Sequence, residues 1–99
     1  MSLFVVQHRH EASRCPARDP QMASQLLQHL SAANAKRHGL TIHGEAVIDN
    51  AHTFYMIVEG PDRDSVTRFM QPFAQAGTVE ILAASPCEAV VSRGGCGAA

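Results

Sequence analysis

The run LTIHGEAVIDNAHTFYMIVE, residues 40–59, permits few folds. Its first nine residues alternate, with Leu40, Ile42, Gly44, Ala46 and Ile48 on one face and Thr41, His43, Glu45 and Val47 on the other, the period of a strand. The residues DNA, 49–51, then read as a three-residue hairpin loop in which Asn50 tolerates positive φ, and residues 52–59 return as the next strand. In that register Gly44 faces Met56 and Ala46 faces Phe54, while His43 sits near Ile57 and Glu45 near Tyr55.

Helical and extended patterns flank this hairpin symmetrically. LFVVQHRH, residues 3–10, is a strand of β-branched and aromatic residues that runs into the polar loop EASRCPAR. Asp19 is then an N-cap with Pro20 at the first helical position, and Met22, Leu26, Leu27, Leu30 and Ala33 form an apolar stripe. That helix ends at Lys36, Arg37, His38 and Gly39. A second helix opens at GPDRDS, with Asp62 and Asp64 in its first turn and Val66, Phe69, Met70 and Phe73 on its apolar side, and Pro72 kinks or ends it. TVEILAA is a fourth strand. After the break SP, CEAVVSR reads as a short fifth strand and GGCGAA as a flexible tail, so residues 1–93 form one domain and residues 94–99 lie outside it.

The order βαββαβ with an extra C-terminal strand is that of a ferredoxin-like α+β plait. Right-handed crossovers place the first strand between the third and fourth, with both helices on one face of the sheet. The other face is expected to carry Tyr55, Ile57, Phe4 and Val6, too apolar to be left wet, which predicts a homodimer with sheets face to face.

Charge and composition narrow the partners. A net charge of -1 and a pI near 6.6 give no basic footprint for nucleic acid, and one Tyr with no Trp gives few stacking platforms. There is no charged leader and no apolar run long enough to span a bilayer, so the expected location is cytoplasmic, with reduced thiols. Six histidines and three cysteines are the anomaly, and they point to metal or thiol chemistry.

His8 and His10 are two apart on a strand, so their imidazoles point the same way. Cys15 lies beyond the same end of that strand, and a fifth strand turning back along the fourth would return Cys96 to it, with Gly94 and Gly95 as the hinge. The set His8, His10, Cys15 and Cys96 suits zinc, nickel or Cu(I), zinc being the default, in a carrier, sensor or store. Cys15 and Cys96 could also form a regulatory disulfide. His52, beside the end of the first strand, is the spare imidazole that could join them, and Arg14 and Arg18 could draw an anion to the Cys15 loop. Cys87 reads as a buried small hydrophobe. A second constellation, His43, Glu45 and Tyr55, would serve general acid–base chemistry on a small organic substrate in a dimer cavity, as in a cofactor-free isomerase or monooxygenase. No organic cofactor motif is present. The third reading is a dimeric scaffold without a site.

In length, element order and apolar open sheet face the chain resembles small members of the dimeric α+β barrel superfamily, which includes muconolactone-isomerase-like proteins and small nickel-binding proteins. The resemblance is one of topology. It implies the plait and the face-to-face dimer, and it carries no site residue onto this sequence.

Overall fold

A computed structural model of the chain describes residues 1–97. Four strands, β1 (Ser2–Arg9), β2 (Thr41–Ile48), β3 (Thr53–Gly60) and β4 (Thr78–Ala84), form one antiparallel sheet in the order β2-β3-β1-β4. The first strand is central, as the crossover rule requires. Five short helices accompany it among the described residues: α1 (Pro20–His29), α2 (Ala32–Arg37), α3 (Arg63–Phe69), α4 (Gln71–Ala74) and α5 (Cys87–Ser92). This small α+β domain is compatible with a ferredoxin-like fold.

The core lies between the sheet and the helices. Phe4, Val6, Phe54, Met56 and Val58 from β1 and β3 pack with Val66, Phe69, Met70 and Phe73 from α3 and α4. Phe4 and Val6 therefore face the helices, not the open face where they were expected. Four apolar residues in succession, LFVV, carry no alternation, so nothing in β1 alone sets its parity. The open face instead carries Tyr55, Ile57 and Leu82, which are 38%, 45% and 49% exposed.

Each expected helix is broken by a local competitor. Ser31 accepts a hydrogen bond on Oγ from the Asn34 N–H at 3.2 Å, which caps α2 and ends α1 at His29. The apolar stripe of α1 reaches the core only through Leu26 and Leu30; Met22 is 47% exposed. Helix α2 closes in a Schellman turn: Gly39 has φ +75, and the Leu40 N–H donates to the Ala35 carbonyl at 2.9 Å. Pro72 separates α3 from α4 by occupying the first turn of the latter.

The expected fifth strand is a helix. Val90 and Val91 favour extended backbone, but Pro86 supplies the N-cap position, and Gly94, at φ +87, closes a second Schellman turn with the Gly95 N–H donating to the Val90 carbonyl at 3.1 Å. Gly94 and Gly95, read from sequence as the hinge of a loose tail, are helix-capping residues. Cys87, expected to be buried, is exposed at the start of α5. Residues 98 and 99 of the tail lie outside the described residues. No helix among the described residues is long and apolar enough to cross a membrane.

The hairpin loop is longer by one residue than its sequence suggested. Asp49–Ala51 forms a 3-10 turn, and His52, not Asn50, takes the left-handed conformation, with φ 47. The register moves accordingly: Ala46 opposes Tyr55 and Val47 opposes Phe54, with an irregularity between Ile42 and Gly44 that leaves His43 bulged.

Candidate metal centre

The end of β1 lies beside the start of β3, and the ladder continues one step past them through the His10 N–H, which donates to the His52 carbonyl at 3.2 Å. The left-handed turn at His52 brings its ring back over this end: His52 Nδ1 lies 3.3 Å from His10 Nε2. Few residues other than glycine adopt this backbone, and histidine is among those that do so more often. Backbone strain of this kind collects at functional sites.

The polar segment after β1 makes two 3-10 turns, Ala12–Arg14 and Pro16–Arg18, with Cys15 between them. Pro16 holds Cys15 extended, at ψ 115, and the Arg18 N–H donates to the Cys15 carbonyl. Asp19 then caps α1 by accepting from the Gln21 N–H at 2.9 Å. The result is that one nitrogen of His10, one nitrogen of His52 and the Cys15 sulfur all lie within 4.8 Å of one another, each residue half-buried.

This group contains two of the four residues singled out from sequence as metal ligands, His10 and Cys15, and replaces the other two by His52. His8 does point the same way as His10, and their rings stack at 5.6 Å. But His8 stands inside the sheet, 2% exposed, T-shaped against Phe73 with ring centroids 5.3 Å apart, and its Nε2 is buried without a partner. Cys96 is held at the opposite end of the sheet. Arg93 donates from Nη1 to Ser85 Oγ at 3.1 Å and from Nε to the Gly95 carbonyl at 2.9 Å, so residue 95 stays beside the end of β4, which pairs with the start of β1. An eight-residue strand spans roughly 25 Å, which puts Cys96 out of disulfide reach of Cys15. All three cysteines are free thiols.

His43, Glu45 and Tyr55 do not share a face. Glu45 opposes Met56, a core residue, whereas Tyr55 lies on the open side with Ile57. The bulged His43 instead pairs its Nε2 with Glu59 Oε1 at 3.0 Å on the open face. Glu59, a diagonal neighbour of His43 across the ladder, was not singled out from sequence. His52 was visible in the sequence as a neighbour of the first strand's end, but its left-handed turn was not.

Burial, together with the neighbouring His10 charge, pushes the His8 pKa down, against the opposing pull of the Phe73 carbonyl; burial and then His52 push down that of His10. Both rings are therefore neutral at pH 7, the form in which imidazole binds a metal. The sign for stability follows. As pH falls through the ordinary imidazole value near 6.5, the unfolded chain takes up protons that the folded chain refuses, so stability present above that pH is lost below it. Urea midpoints are expected to fall between pH 7.5 and 5.5, and to fall less in His8→Leu; equal slopes would show that His8 is not the group refusing the proton.

A family described as a domain of unknown function, DUF3303, matches residues 2–94. The chain belongs to that family. No curated protein and no solved structure gives a significant match. The matched span includes β1, both 3-10 turns, the hairpin and α5, so every residue of the His10, Cys15 and His52 group lies inside the DUF3303 domain.

Proposed function

We propose that this DUF3303 protein binds a transition-metal ion through His10, Cys15 and His52, as a carrier, sensor or store in the cytoplasm. One observation carries the reading: the His10 and His52 nitrogens stand 3.3 Å apart with a thiol beside them. Two nitrogens bound to zinc at 2.0–2.1 Å with a tetrahedral angle between them lie about 3.3 Å apart, so an ion needs little rearrangement of this pair. Two imidazoles and one thiolate favour zinc, with nickel and copper as the nearest rivals, over a hard cation that prefers oxygen. Three ligands leave one position open, which suits exchange better than permanent structural binding.

Elemental mass spectrometry of protein purified without chelator tests this directly. About one ion per chain, lost in Cys15→Ser, is the expected outcome; metal-free protein that stays metal-free after reductive loading with zinc, nickel and Cu(I) would sink the proposal.

His52→Gly separates the site from the fold. Glycine relieves about 1 kcal/mol of left-handed strain and forfeits an imidazole hydrogen bond worth a similar amount. The metal-free variant should thus unfold in urea within about 1 kcal/mol of the parent while gaining nothing from zinc. A large loss of stability without metal would make His52 a structural residue.

The exposed apolar side of the sheet supports a homodimer in which a second copy covers Tyr55, Ile57 and Leu82. Ile57→Lys is then expected to yield monomers in sedimentation with metal stoichiometry unchanged; a parent that already sediments as a monomer would rule this out.

A further inference from the structure

We infer that the His10, Cys15 and His52 centre takes a small organic carboxylate as its fourth ligand, clamped by Arg14 and Arg18; the inference rests on the metal reading above. Three protein groups leave a tetrahedral ion one ligand short. Of the three, Cys15 also opens onto a surface cavity of about 580 Å³ whose wall includes Arg14, Arg18, Met22, Gln75 and Ala76. Cys15 thus belongs both to the group with the histidine pair and to the wall of this cavity, so a molecule in the cavity lies beside a residue that would hold the ion.

The wall of the cavity suits an anion with a carbon skeleton. Arg14 ends one 3-10 turn and Arg18 ends the next, so the two guanidiniums flank Cys15 from either side in sequence. Neither has an acidic partner: among the described residues the one ion pair is His43 with Glu59. Asp19, the acid on the same wall, is already engaged with the Gln21 and Met22 N–H groups at the start of α1. Two unpaired guanidiniums offer planar donor forks that match a carboxylate, and a divalent ion balanced by one thiolate leaves a further positive charge between them. Met22 and Ala76 add apolar surface that a bare inorganic oxyanion would not use. A molecule with a carboxylate at each end of a short chain could place one on the metal and the other on the arginines.

Cobalt(II) in place of the native ion makes both halves visible, because its bands report thiolate ligation and coordination separately. The full chain loaded with cobalt(II) would be titrated with succinate at constant ionic strength, beside chloride and inorganic phosphate. Succinate is expected to shift the ligand-field bands saturably while the thiolate charge-transfer band persists. In Arg14→Gln/Arg18→Gln, succinate should bind at least about tenfold more weakly, with the thiolate band as strong as in the parent. Ligand-field bands that succinate leaves unmoved, with the thiolate band present, overturn the inference and leave metal binding standing. An equal response in the double variant, or an equal response to phosphate, overturns it as well. No thiolate band with cobalt(II) overturns the metal reading itself and this inference with it.

Discussion

Zinc at a hundredfold excess over its dissociation constant is expected to stabilise the reduced protein by about 2.7 kcal/mol. For a domain of this size that is a rise of about 10–20 °C in the unfolding midpoint. The ion is expected to favour the folded chain because only folding brings His10 after β1, Cys15 from the following turns and His52 from the hairpin within 4.8 Å of one another. Cys15→Ser and His10→Ala should each remove most of the shift. Cys96→Ser should keep all of it, since Arg93 holds that end of the chain near Ser85, across the sheet from the site. Thermal scans at matched ionic strength check this, and a shift lost with Cys96 and kept with Cys15 would contradict the geometry.

The second large effect comes from a residue with no metal-binding atom. Gly77 lies in the turn before β4, where a Cβ would overlap the Arg9 carbonyl oxygen and lie 3.1 Å from the His10 Cα. Both are backbone atoms of the strand end that carries the first imidazole, so neither can swing away. Gly77→Ala is expected to cost about 3 kcal/mol and, by displacing His10, to weaken zinc binding as well. Gly60→Ala is the control. There the added methyl meets the Leu40 side chain, which can rotate, and the expected cost is about 1–2 kcal/mol with the zinc affinity unchanged. Urea unfolding and zinc titration of the two variants read both quantities. Equal stability losses, or a Gly77→Ala protein with parental zinc affinity, would show that this contact does not position the site.

The strand order could be read from the sequence because alternation in residues 40–59 and the crossover rule leave little choice. Side-chain direction was harder. In LFVV either parity buries two apolar residues, and the packing of Phe73 and Phe69 against one face of β1 decides between them. In the hairpin, one further loop residue at His52 exchanged the faces of residues 44–48, taking Glu45 off the face that His43 and Tyr55 share. At the C-terminus two valines suggested a strand, while the capping positions of Pro86, Gly94 and Gly95 favoured a helix. That difference moves Cys96 to the far end of the sheet. His10 and Cys15 were legible because they are near in sequence and their meeting needs no long-range register. His52 depended on a backbone conformation that the residues DNAH do not announce.

X-ray absorption at the zinc edge of the loaded, reduced protein tests the centre most directly. One sulfur at about 2.3 Å with two imidazole nitrogens at about 2.0 Å, and one further light atom, is the shell that His10, Cys15 and His52 imply. A shell without sulfur would contradict the site, and so would one with two sulfurs, which this fold can supply only by bringing Cys87, Cys96 or a second chain to the ion.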